Sequence, residues 1–264
     1  MVLGLLTTSF LSIVCFAISV YFAFTGRMSL QSHILFGLFA TFLIGAFALL
    51  ASQLSGIVVL SGWYGLRLGE VATLTQDGGA LILFIFVSSP VQVALLALAA
   101  RSKGSVAEYL GYKLPRRGEV IVAIVAVAAL IAVGDAASWL AGRNIVDRFQ
   151  SDMYRAAKNA DLLPLLLVAM TVLIPIGEET LFRGFLFRGW LRTPGDAWRV
   201  IVFTAGLFAI IHVQYDWFLI AQVFAFGLLF GWVRWASGST MLTMVMHGLV
   251  NLEGLVETML TYNG

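Results

Sequence analysis

Three short polar clusters interrupt the apolar C-terminal half of this sequence, and their residue types suit the addition of water to a carbonyl. The first is Glu178-Glu179-Thr180-Leu181-Phe182-Arg183, at the end of the apolar run 162–177. The second ends Phe208-Ala209-Ile210-Ile211-His212, and the third is His247-Gly248-Leu249-Val250-Asn251. A carboxylate in apolar surroundings can take a proton from water near neutral pH. Two histidines can hold that water, or hold a metal that acidifies it. Asn251 can donate hydrogen bonds to the oxyanion that forms as water adds to an amide. Peptide hydrolysis needs an activated water, an oxyanion partner and a proton for the departing amine, and this set supplies all three. No serine or cysteine nucleophile is required. The sequence contains no HExxH, so an ordinary zincin site is absent.

Each cluster has a plainer explanation when taken alone. Glu179 and Arg183 stand four apart and can pair on one helix face, as interfacial salt bridges do. Glu178 projects about 100° away from Glu179 and lacks a basic partner on its own helix. A lone histidine in an apolar helix is more often a packing residue. His247 and Asn251, also four apart, would serve equally as interhelical hydrogen-bonding groups. Charged groups inside a bilayer are costly, however, and those that persist usually serve function or pair with one another. Taken together, the clusters favour a site.

Depth decides whether they can meet. With Pro194-Gly195 as the turn, Glu178 lies 17 residues before Gly195 and His212 lies 17 after it. Adjacent antiparallel helices would then hold both at similar depth. His247 is only about nine residues beyond the turn near Gly238. It matches the others if residues 184–197 extend past or along the membrane surface, as Arg188 and Arg192 allow.

The elements that position these groups are membrane spans. Of 264 residues, 60% are hydrophobic and 11% charged, against about a quarter charged in a soluble domain. The expected fold is all-α, a polytopic transmembrane bundle of about eight spans, since each needs roughly 20 apolar residues. The first covers Val2 to Gly26 and is too long for a signal-peptide core. Residues 28–66 contain no Asp, Glu, Lys or Arg over 39 positions. One helix of that length would reach about 58 Å, which favours a span at 32–53 followed by an interfacial or re-entrant piece with Trp63 and Tyr64 at headgroup level. Further spans fit 80–100 and 119–141 or begin near Leu162, Trp198, Asp216 and Thr240. No clear repeat or low-complexity tract appears. The chain divides into variable N-terminal spans with a basic loop (1–118) and a C-terminal bundle (119–264).

Arg101, Lys103, Lys113, Arg116 and Arg117 against Glu108 make 101–118 the cytoplasmic loop. The 142–161 loop dissents, with Arg143, Arg148, Arg155 and Lys158. A net charge of +2 is too small and scattered for nucleic acid. Cys15 has no second cysteine to pair with and reads as a small hydrophobe.

The motifs EExxxR (Glu178, Glu179, Arg183), FxxxH (Phe208, His212) and HxxxN (His247, Asn251), in this order on successive hydrophobic segments, resemble the CAAX protease and bacteriocin-processing family of intramembrane proteases. The eukaryotic members of that family are the type II CAAX prenyl endopeptidases. The segment LGYKLPRRGE at 110–119 is similar to the basic lead-in that often precedes the family core. The resemblance covers about 160–255. It implies an intramembrane endopeptidase with Glu178 as general base, His212 and His247 positioning the water, and Asn251 as oxyanion donor. Glu179 and Arg183 would organise the site. The family was first described as metalloproteases. No cofactor is firmly implied here, although a divalent metal such as zinc is compatible with the residues. The partners expected are the lipid bilayer and a membrane-associated peptide or protein substrate. The short loops suggest a prokaryotic inner (plasma) membrane protein with its site in the cytoplasmic half.

Two other classes compete. A proton-coupled transporter would distribute polar groups through both halves and show inverted repeats, whereas the first 100 residues are almost entirely apolar. A scaffold would hold a partner helix against Gly227-Leu228-Leu229-Phe230-Gly231, though internal packing explains that small-residue face better. Asp135 is the one intramembrane acid outside the motif region, facing a neighbouring helix or the outer surface. Asp216 marks a helix end, and Trp198, Trp217, Trp232 and Trp235 suit interface anchors.

Overall fold

The computed structural model describes residues 30–144 and 146–261. The anticipated first span at 2–26, with Cys15, lies outside them. The described chain begins in helix α1 (Leu30–Tyr64), which runs 35 residues without a break. The interruption expected after residue 53 is therefore absent. Its last turns have packing partners that hold them helical: Leu60 is buried with Val71 and Ala80, and the Tyr64 hydroxyl donates to Asp77 Oδ1 at 3.1 Å. At about 52 Å, α1 outruns the hydrocarbon core, and Trp63 near its end is 75% exposed. The chain then turns at Gly65, whose φ of +66° suits a residue without a Cβ.

A 3₁₀ segment (Leu68–Gln76) leads to α2 (Gly78–Arg101), capped by Asp77 accepting from the Ala80 N–H. Short α3 (Val106–Leu110) and α4 (Arg117–Leu140) follow. Helix α5 (Arg148–Asn159) is polar except for the face that buries Met153, Tyr154 and Ala157. Helix α6 (Leu163–Trp190) is continuous but contains π-helical stretches at Ala169–Leu173 and Thr180–Leu186. These flank the regular turns Ile174–Glu179. Helix α7 (Ala197–Ile210) has only 14 residues, about 21 Å, so it stops inside the bundle and cannot cross a bilayer alone. Asp216 caps α8 (Trp217–Ser237) as the sequence suggested, accepting from Phe218 N and Leu219 N. Gly238, with φ +71°, turns the chain into α9 (Thr240–Thr261).

Among the described residues, five helices are long and apolar enough to cross a membrane: Gly37–Tyr64, Gly78–Arg101, Arg117–Leu140, Leu163–Trp190 and Trp217–Ser237. The protein is a helical integral membrane protein. Helix α9 carries the site motif and two further acids, Glu253 and Glu257.

Helix α6 lies at the centre of the packing. Phe182, Phe185, Leu186, Phe187 and Trp190 form one core with Leu96, Leu110, Val200, Ile201 and Phe208. A second core joins α4, α8 and α9 through Ala123, Val127, Phe230, Val233, Leu242 and Met246. The small-residue face of α8 is internal: a Cβ on Gly227 would meet the Ala205 Cβ at 2.9 Å, and one on Gly231 would meet Ile201. The α3 lead-in docks on the α8–α9 turn, where Leu110 O accepts from the Thr240 hydroxyl and Gly111 O from Thr240 N–H.

Candidate active site

Four of the six candidate residues meet where α9 crosses the middle of α6. Glu179 and Arg183 form an ion pair at 3.0 Å, and both side chains are fully buried. The sequence left open an interfacial salt bridge, but this pair lies in the core. A buried pair needs further hydrogen bonds and good geometry to offset desolvation. Arg183 Nη2 donates to Gly227 O at 3.1 Å, and its guanidinium carbon lies 4.5 Å from the Phe208 ring centroid and 5.3 Å from that of Phe230. Arg234 reaches back from α8 to donate to Arg183 O at 2.9 Å.

His247 leans on the same pair. Its Nδ1 lies 3.0 Å from Glu179 Oε1, and its ring sits between Phe208 and Phe230. A carboxylate oxygen can only accept, so Nδ1 carries a proton, and in the neutral ring Nε2 presents a lone pair. Glu178 Oε2 stands 3.9 Å from that Nε2. The Glu178 oxygen is enclosed and has no hydrogen-bond partner within the protein. Glu179 thus orients the histidine, while Glu178 faces its free nitrogen.

His212 follows the C-terminal end of α7, and its Nδ1 lies 2.7 Å from Phe208 O. The carbonyl again dictates the tautomer: Nδ1 donates, and Nε2 is left with the lone pair. Both histidines therefore offer the same nitrogen. Asn251 Nδ2 donates to Met170 O at 2.8 Å, in the first π-helical stretch, leaving its second amide hydrogen for another acceptor. His212, His247 and Asn251 border one cavity of about 150 Å³. The structure brings His212 and Asn251 to that wall rather than into hydrogen bonds with Glu178.

Helix approach is tight here. A Cβ on Gly248 would lie 2.5 Å from Thr171 O, so glycine lets the α9 backbone close on the π-helical stretch of α6. The cavity continues between Asp135, Ser138, Gln222, Glu253 and Glu257, and reaches Asp147 and Gln150 beside α5. One carboxylate oxygen each of Asp135, Glu253 and Glu257 lie within 4.8 Å of one another. Asp135 thus faces two acids of α9, a neighbour that the sequence did not reveal. Spacing along α4 says nothing about α9. Tyr215, also on the wall, is stacked on His212, and burial pushes its phenol up to about 12.

Tetrahedral zinc requires ligand atoms at about 2.0–2.2 Å from the ion. Glu178, His212 and His247 do not gather three donor atoms within 4.8 Å of one another; among the described residues only the Asp135–Glu253–Glu257 group does. Three separate helical regions supply the set: His212, His247 and Asn251 line the cavity, and Glu178, which is not on its lining, joins them through its approach to His247 Nε2.

No curated protein and no solved structure gives a significant match to the chain. A family model, described as type II CAAX prenyl endopeptidase Rce1-like, matches residues 160–252. That stretch contains α6, α7, α8 and the motif-bearing part of α9. The three motifs, in order on apolar helices, lie within the matched residues, so this part of the chain is similar to the Rce1-like CAAX proteases.

Proposed function

We propose that the protein is an intramembrane endopeptidase that cleaves a membrane-associated peptide or protein by a glutamate-activated water. The observation that carries this is the division of labour within the Glu pair: Glu179 Oε1 is taken by both Arg183 and His247 Nδ1, whereas the unbonded Oε2 of Glu178 faces the other nitrogen of the same imidazole. A water between Glu178 Oε2 and His247 Nε2 would donate one hydrogen to each. Glu178 takes a proton as the water oxygen adds to the scissile carbonyl. The second amide hydrogen of Asn251 meets the developing oxyanion. Collapse of the tetrahedral species breaks the C–N bond, and the proton held by Glu178 goes to the departing amine. His212 presents its Nε2 lone pair to the same cavity and helps hold the water.

The dispersed donor atoms favour water activation without a metal. With the basic 101–118 loop taken as cytoplasmic, the Thr240 end of α9, on which the α3 lead-in docks, lies at the same face. His247 then sits about 10 Å in from that face, in the cytoplasmic half of an inner-membrane protein with about eight spans. Water reaches it through the cavity that extends towards Asp147 and Gln150.

Glu178→Gln in purified, detergent-folded protein tests the mechanism against a library of quenched peptides presented in micelles. Cleavage should vanish with the thermal midpoint close to unchanged, because the amide is isosteric. Turnover retained by that variant would sink the glutamate mechanism.

A further inference from the structure

Gln92 lies on α2, far in sequence from the site and outside residues 160–252. It is 4% exposed. An amide buried in an apolar helix is costly unless its hydrogen-bonding groups are used. Both ends of Gln92 are engaged. Nε2 donates to Gly177 O at 3.0 Å, and Oε1 accepts from the Ser52 hydroxyl of α1 at 3.4 Å.

The acceptor is informative. Gly177 O belongs to the peptide plane whose nitrogen is that of Glu178, so the Gln92 bond fixes the plane from which the candidate base departs. Within the helix the same carbonyl also accepts from the Thr180 N–H, so the Gln92 bond is a second hold on this plane, from a neighbouring helix. Pro175 removes one backbone donor just upstream. Stretches of π-helix lie on both sides, at Ala169–Leu173 and Thr180–Leu186. Helix α2 runs alongside this turn: a Cβ at Gly177 would make ordinary contact with Ser89 Oγ at 3.4 Å.

We infer that Gln92 is a positioning residue, which holds the Gly177–Glu178 peptide plane from α2 and thereby aims the Glu178 carboxylate, with Ser52 orienting the amide. The inference rests on Glu178 acting as base. Ordinary interhelical hydrogen bonding would contribute stability and leave the chemistry of folded molecules alone, so the two roles separate experimentally.

Two variants suffice. Gln92→Met keeps the length and removes the donor, whereas Gln92→Asn keeps the amide and withdraws it by one methylene. Labelling with carbonyl-¹³C glycine and ¹⁵N glutamate selects the Gly-Glu pairs at 69–70, 118–119 and 177–178. In either variant only the 177–178 signal should shift, whether or not a substrate is in hand. Against a cleaved peptide from the quenched library, kcat per folded molecule should fall about tenfold with KM within about twofold, the pattern of a misplaced catalytic group. The acid limb of the kcat/KM profile should move with it. An unshifted 177–178 signal overturns the inference, as does unchanged kcat with an unchanged acid limb in Gln92→Asn. Turnover retained in Glu178→Gln would instead overturn the glutamate mechanism, and Gln92 would fall with it.

Discussion

Replacing Arg183 with leucine removes a cation from a place that solvent does not reach. Its side chain and that of Glu179 are both fully buried. Without Arg183 the Glu179 carboxylate keeps one strong partner, His247 Nδ1 at 3.0 Å, and its second oxygen already has none within the protein. Breaking a buried pair by deleting one partner costs about 3–5 kcal/mol. The Gly227 carbonyl also loses a charged donor at 3.1 Å, normally about 1.5–3 kcal/mol. The cation–π contacts with Phe208 and Phe230 add up to about 2 kcal/mol where desolvated. These losses overlap because they share one side chain, so the net expectation is about 4 kcal/mol. Reversible unfolding in mixed micelles, followed by tryptophan fluorescence, measures it. The double variant Glu179→Leu/Arg183→Leu should recover much of the loss, since no unpaired charge remains. A single variant within about 1 kcal/mol of the parent would refute the buried-charge account, as would a double variant less stable than either single one.

Two further predictions follow from the packing and the cavity wall. Gly248→Ala drives a methyl against the Thr171 carbonyl, a backbone atom that cannot swing aside; it should cost about 1–3 kcal/mol by the same assay and lower activity by spreading α9 from α6. Tyr215 has its phenol raised to about 12 by burial, with Asp147 and Glu178 adding repulsion, against about 10 in an unfolded chain. Its contribution is therefore fully present below about pH 10 and is lost as pH rises through about 12. Tyr215→Phe should flatten the alkaline part of a thermal-midpoint profile relative to the parent, and an identical profile would argue against the phenol being shielded.

Much of this arrangement was legible in residue types. Spans near 80–100 and 119–141 appear as α2 and α4 because uninterrupted apolar runs leave the backbone no other way to satisfy its hydrogen bonds in lipid. The i, i+4 spacing of Glu179 and Arg183 fixed their pairing. It could not fix their depth, which depends on aromatic rings from α7 and α8. The break expected after residue 53 failed for a related reason: a length limit set by the bilayer does not bind a helix whose final turns pack on α2 and the 3₁₀ segment. The shortness of α7 was hidden because its apolar run continues to Ile211. The π-helical stretches carry no compositional mark, so depth arithmetic based on regular helices reached the right neighbourhood without giving the contacts. Gln92 and the acidic wall are long-range features, visible only once α2, α4 and α9 share a space.

The two π-helical stretches of α6 have a consequence for how this helix can change over time. A π-turn amounts to one extra residue threaded into an α-helix. Deleting a single residue from 169–173 would let that stretch relax to regular helix with the turns on either side near their present facing, whereas a deletion in the regular turns at 174–177 would rotate one side of the junction by about 100° relative to the other. If the α9 contacts of Met170 and Thr171 hold, Glu178 would leave His247 while the outer turns kept their register. Insertions and deletions in those regular turns act as changes of phase rather than of length. One codon at this point separates a helix that presents its carboxylate to the histidine from one that turns it to a neighbouring face.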